Sequence, residues 1–487
     1  MDVAIVIVYL AAMLAFGFWG KTRTKNSADF LVAGRRLGPA LYTGTMAAVV
    51  LGGASTVGGV GLGFKYGISG MWLVVAIAVG LLLLSVAFAG RIQRLRVYTV
   101  AQMLRLRYGI DATSSSGIVM VAYTLMLSVT STIAYATVFN VLFGTSRTVS
   151  VIIGGAIVML YSSIGGMWSI TLTDMVQFVL KTIGVFFLLL PFTWHEAGGL
   201  DGIRERANGA MFDLGAIGTE TIITFFVVYS FGMLIGQDIW QRVFTARSPK
   251  VAKWGGTAAG IYCLFYGVAG ALIGMAASTF LPGVEAKDDV YALIAETILP
   301  VGVSGIVLAA AVAAMMSTAS GALIATATVA RTDVKPLLQR LVGRTPGAEE
   351  EDAERDVHSD RLYVVVLGIA VIVIAALLND VVGALTIAYD ILVGGLLVSI
   401  LGGFLWKRAT GTGALCAMAL GTVVTLGSMA VFGVLANEPI YFGLAASLVA
   451  YVVASLLTPR TPSDVLAVWD DRLAGRDVAD AQMNSTP

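Results

Sequence analysis

Thirteen apolar runs, most near twenty residues long, limit what this 487-residue chain can become. They fall at about 3–20, 40–64, 70–90, 115–143, 149–166, 171–193, 220–237, 255–280, 302–329, 362–379, 382–405, 411–433 and 439–458. A helix of about 20 apolar residues crosses about 30 Å of hydrocarbon. Lipid offers the backbone no partners, which leaves helices or closed barrels, and these runs are too long for barrel strands. An all-α integral membrane protein is therefore expected. Only 13% of the residues are charged, against roughly 25% in an average soluble domain, so a soluble enzyme is excluded. A net charge of +1 leaves no basic surplus for phosphates, which excludes nucleic acid as a partner. Cys263 and Cys416 lack metal-ligand spacing, and His195 and His358 lie outside the runs, so no resident cofactor is expected.

Basic residues orient the chain. Segments 21–39, 91–113, 238–254, 331–361, 406–410 and 459–487 hold 25 of the 31 Lys and Arg, and Lys181 is the one placed within a span. This asymmetry predicts an outside N-terminus, a cytoplasmic C-terminus and a multi-pass protein of the cell membrane. The first run follows Asp2 with no basic stretch before it, unlike a cleaved signal peptide. The acidic stretch at about 345–360 reads as a solvated cytoplasmic loop. Segment 194–219 reads as a lid or connector, and the polar tail 459–487 as loosely ordered.

Several positions break the apolar pattern. Leu51–Gly61 carries five glycines in mid-span. Close helix packing through small residues explains them. So does an unwound hinge whose carbonyls hold a cation or solute, with Ser55 and Thr56 as nearby hydroxyls. Five spans later, Gly232 and Gly236 precede Gln237 and Asp238 at a depth where polar groups usually face a cavity or partner. Asp238 has the alternative of pairing with Arg242 at i+4. In the ninth run Ser317, Thr318 and Ser320 can bond their own preceding carbonyls or supply oxygens to a hard cation. Asp174 begins the sixth run and reads as an N-terminal cap or a site acid. Gln177 shares its face, and Lys181 returns to that face to snorkel or pair. Asp390 lies within the eleventh run and must face protein or water.

These residues carry a resemblance. Ala28–Arg36 before the first core span, the Gly-Gly-Met-Trp to Thr-Asp-Met-Val-Gln segment at 165–177, Gln-Asp-Ile-Trp-Gln-Arg at 237–242, and Met-Ser-Thr-Ala-Ser at 316–320 occur in order. Together they resemble the sodium:solute symporter family over about residues 1–460. The resemblance implies a leucine-transporter-like fold with a 5+5 inverted repeat and about thirteen transmembrane helices. An extra helix and basic loop would occupy 1–39, the first repeat 40–193, an external loop 194–219, the second repeat 220–405, two accessory helices 406–458 and a cytoplasmic tail 459–487.

By motif alignment the family's principal Na⁺ site is expected at the carbonyls of Ala54, Val57 and Ala314 and the hydroxyls of Ser317 and Thr318. A second cation site in some relatives matches Asp174 and Ser320, but Gly321 lacks the further hydroxyl, so one Na⁺ per solute is expected. The solute cavity is expected at Ser55, Thr56, Gln237 and Asp390.

The resemblance thus implies a secondary active transporter that couples Na⁺ influx to uptake of a small polar organic solute by alternating access, acting as a monomer in the bilayer. An H⁺-coupled symporter of the same fold and a non-transporting sensor module are the alternatives. Gly236 stands where sugar carriers have a polar side chain and choline carriers a tryptophan, so the motifs do not name the solute. An enzyme would need a nucleophile–base pair or metal ligands inside the spans.

Overall fold

Helices fill the chain because the apolar runs demand them, and the computed structural model describes residues 1–109, 112–207, 209–341, 357–378, 381–434 and 436–476. Among these residues ten helices are long and apolar enough to cross a membrane, and the bent pair Thr219–Ile235 and Gln237–Thr245 adds an eleventh. Two of the ten are double-length, Ala54–Arg94 with 41 residues and Arg147–Glu196 with 50. Gly67 and Gly166 turn the chain inside them at φ +62° and +55°. A side chain is disfavoured at such angles, and a Cβ at Gly166 would lie 2.6 Å from the Phe30 carbonyl. Counting each turn as a return gives thirteen crossings, with Pro39–Val50 joined to the first half of 54–94.

Helix Val303–Val329 forms the centre and is almost wholly buried. Alanine, glycine, serine and threonine dominate its sequence. Small side chains let neighbouring backbones approach closely where lipid gives no hydrophobic drive for helix association. It packs between Ala112–Phe143 and Arg147–Thr182, and the N-terminal helix Asp2–Arg23 lies along the latter. At the periphery Gly411–Phe432 pairs with Glu438–Leu457. Leu377, Val431 and Leu457 point outward there and elsewhere on the rim, as a lipid-facing surface requires.

Two spans are interrupted. The first runs as Pro39–Val50, breaks at Leu51 (φ −96°, ψ 76°) and Gly52, and resumes through a wide turn at Ala54–Gly58 into Gly59–Tyr66. The second breaks at Gly236 (φ −62°, ψ 129°) and bends by 42°. The ends of these two spans meet: Leu37 N–H donates to the Thr245 carbonyl at 3.0 Å, and Arg247 N–H donates back to Leu37 at 3.0 Å.

One expectation changes. The tail is ordered in part, because Ser463–Ala474 forms a helix whose buried Trp469 packs edge-on against Phe404. Segment 194–219 is tied down, since the Ser69 hydroxyl and Trp72 indole each donate to the Leu214 carbonyl at 2.8 Å. Most of the acidic loop at 345–360 lies outside the described residues, while Asp360 is buried beside Ser27 and Arg331.

Candidate functional site

The first break faces the small-residue helix at its centre. The Thr318 hydroxyl donates to the Val49 carbonyl at 2.6 Å. The Ser317 hydroxyl is 2.8 Å from the Ala48 carbonyl and 2.7 Å from that of Ala314. Helix ends leave carbonyls without intrahelical partners, and here the hydroxyls of another helix reach them. Gly52 makes the approach possible, because a Cβ there would stand 2.5 Å from Thr318 Oγ1.

The carbonyls expected from the motif alignment stand further along the same span. Ala54 and Val57 lie within the resumed helix, and the oxygens that meet Ser317 and Thr318 belong to Ala48 and Val49. The break falls at the first glycine pair. Later glycines serve packing instead, as at Gly63, where a Cβ would press the Ala271 backbone.

Lys181 completes the pocket. Its ammonium donates to the carbonyls of Ala47 and Ala48 at 3.0 Å each and of Leu51 at 3.4 Å. The side chain is wholly buried, so it neither snorkels nor forms an ion pair with Asp174.

Asp174 sits inside helix Arg147–Thr182, eight residues past the turn at Gly166, and does not cap an N-terminus. Its carboxylate accepts from Arg242 Nη2 at 3.0 Å and from the Thr45 hydroxyl, with both ion-pair partners fully buried. Arg242 thus pairs across helices and not with Asp238 at i−4. Gly321 makes room for it, since a Cβ there would stand 2.9 Å from Arg242 Nη2. Ser320 donates to the Ser317 carbonyl at 3.1 Å. The place expected for a second cation, Asp174 with Ser320, therefore has a guanidinium on its carboxylate.

A cavity opens beside the first break. Ser55, Thr130, Ser131, Asp238, Thr318 and Tyr389 contribute its polar lining, and Val50, Ile77, Leu127 and Met233 belong to its apolar wall. Asp238 accepts from the Tyr123 hydroxyl at 2.9 Å, and Tyr123 stacks edge-on with Tyr389 at 5.4 Å. Thr318 belongs to both the cavity and the pocket.

Of the four residues expected to line a solute cavity, Ser55 does so. Thr56 turns away to the Tyr266 hydroxyl at 3.0 Å. Gln237 clamps a neighbouring segment, accepting from Val100 N–H at 2.8 Å and donating to the Tyr98 carbonyl at 3.0 Å. Asp390 is buried outside the cavity lining, and among the described residues neither carboxylate oxygen has a hydrogen-bond partner. The sequence left Asp238 open between a cavity and a pairing with Arg242, and the structure places it on the cavity wall. Sequence reasoning missed the carbonyls of Ala48 and Leu51, which carry no side-chain signal.

The profile of the Sodium:solute symporter family matches residues 30–421. This chain belongs to the sodium:solute symporter family. It is a multi-pass membrane protein of a transporter family, not of an enzyme family. The osmoregulated proline transporter OpuE of Bacillus subtilis is 25% identical, with 94% of this chain and 96% of that protein aligned. The high-affinity proline transporter PutP of the same organism is also 25% identical, over 94% and 98%. Among solved structures, a Na⁺-coupled sialic acid symporter in a substrate-bound outward-open state superposes with a TM-score of 0.79 at 19% identity, covering 95% of this chain and 98% of that one. MhsT in complex with L-phenylalanine gives 0.54 at 15% identity, over 86% and 98%. The family chain has the leucine-transporter-like fold with its 5+5 inverted repeat.

Proposed function

We propose that this family member couples Na⁺ influx to the uptake of a small polar organic solute by alternating access. The observation that carries this reading is the convergence of backbone oxygens beside the Leu51–Gly52 break on the hydroxyls of Ser317 and Thr318. Neutral oxygens of this kind suit a hard monovalent cation without fixing a net charge in the membrane. Thr318 would link the two ligands, because a cation that draws its hydroxyl also reshapes the wall of the solute cavity. Asp238, Ser55 and Tyr389 would orient the solute there.

Each Na⁺ entering through a negative-inside potential releases about 2.3 kcal/mol per 100 mV. The same reading sets the N-terminus outside, the chain as a monomer and one Na⁺ per solute, the last supported by the guanidinium that occupies the Asp174 carboxylate. Uptake into proteoliposomes tests the reading, with imposed Na⁺ gradients and radiolabelled L-proline, sialic acid, sugars and amines as probes. Accumulation of one probe that stops when choline replaces Na⁺ supports it. Equal uptake with either cation, or uptake that follows an imposed proton gradient alone, rejects it.

A further inference from the structure

Lys181 raises a question that a Na⁺ pocket leaves open. Its ammonium holds three carbonyls of the break, and one of them, Ala48, is also the acceptor of Ser317. It stands fifteen residues from both the Gly166 turn and the helical end at Glu196. That is about 22 Å from either end at 1.5 Å per residue, beyond the reach of a four-carbon stem that seeks water. Among the described residues Lys181 forms no ion pair, and the nearby Asp174 is engaged by Arg242 and Thr45. A buried ammonium without a carboxylate is rare in a membrane span and marks function. In place of a counter-ion Lys181 has three neutral oxygens beside the break, and one of them, the Ala48 carbonyl, also belongs to the proposed cation pocket.

We infer that the Lys181 ammonium is a built-in competitor for the coupling-cation pocket, so that it and Na⁺ occupy the same oxygens in turn. This rests on the reading of the break as a cation pocket. Two positive charges cannot share the Ala48 carbonyl without strong repulsion at short range. Na⁺ therefore binds only as the ammonium withdraws, and binding is weaker than the oxygens alone would provide. The tethered charge also holds the broken span against its neighbours when Na⁺ is absent.

Binding of ²²Na⁺ to the purified full-length chain in detergent tests this, with choline chloride keeping ionic strength constant. Lys181→Met should bind Na⁺ at least tenfold more tightly than the wild type. Lys181→Arg, which keeps a cation on the stem, should not. Adding Thr318→Ala to Lys181→Met should remove the gain, which ties it to this pocket. Equal Na⁺ affinity in wild type and Lys181→Met would overturn the proposal. Should Lys181→Met not fold, Lys181→Gln replaces it. The wild type alone also decides: Na⁺ binding at micromolar concentrations that is lost in Thr318→Ala would show a pocket free of competition. Should Lys181→Met gain Na⁺ while the wild type neither binds it nor moves any probe with it, the competitor stands and Na⁺-coupled transport falls. Na⁺-driven uptake by a wild type whose affinity Lys181→Met leaves unchanged would do the reverse.

Discussion

The Thr318 hydroxyl and the Val49 carbonyl, 269 residues apart in sequence, meet at 2.6 Å beside the break in the first core span. Removing the hydroxyl as Thr318→Ala strips one oxygen from the proposed pocket. Net stability should fall by about 1 kcal/mol, the usual worth of a buried hydrogen bond. The Na⁺ concentration for half-maximal uptake should rise about tenfold, equivalent to about 1.4 kcal/mol of lost cation binding. Uptake titrated with Na⁺ checks this, and an unchanged midpoint rejects Thr318 as a ligand.

Gly52→Ala should act on the same contact from the other side. The new Cβ would sit within 2.5 Å of Thr318 Oγ1, closer than real Cβ atoms approach. Overpacking of this kind costs about 1–3 kcal/mol. Thermal unfolding in detergent should show the loss, and Gly52→Ala combined with Thr318→Ala should recover part of it.

Arg242 and Asp174 form an ion pair with no exposure on either side. Breaking such a pair strands the remaining charge and costs about 3–5 kcal/mol. Arg242→Met and Asp174→Asn should therefore each be severely destabilised. Their combination should be less destabilised than the two single losses added together, as for residues in direct contact. Additive losses in unfolding measurements would show that the pair does not act as a unit.

Gln237 and Asp238 are adjacent but should fail differently. Gln237 holds the Tyr98–Val100 segment, so Gln237→Ala should lower the maximal uptake rate and leave the solute concentration for half-maximal uptake unchanged. Asp238 lines the cavity, so Asp238→Asn should weaken solute binding about tenfold or more. Uptake against solute concentration separates the two, and identical effects would reject the division of roles.

Much of the architecture was legible from residue type alone. Apolar run length located the spans, because hydrocarbon thickness fixes how long a crossing helix must be. Glycines marked both breaks, and the first falls at Leu51 and Gly52, at the start of the glycine-rich stretch. Five glycines in eleven residues spread the cost of breaking almost evenly, and tertiary contact with Thr318 selects Gly52. The partners of Lys181 and Arg242 were not legible. Lys181 bonds carbonyls, which every residue carries, and Arg242 bypasses a neighbour at i−4 for an aspartate on another helix. Asp390 was visible as an acid in an apolar run, but its neighbours belong to the fold, and the structure keeps it out of the cavity lining.

A cation bound beside Leu51 and Thr318 is proposed to drive the solute across. Concentrative uptake by proteoliposomes under an imposed inward Na⁺ gradient tests it most directly, with wild type and Thr318→Ala reconstituted at equal density. The wild type should accumulate a probe solute only with Na⁺ present, and Thr318→Ala should need about ten times the Na⁺ to match it. Accumulation that ignores Na⁺, or a variant that responds to Na⁺ as the wild type does, would contradict it.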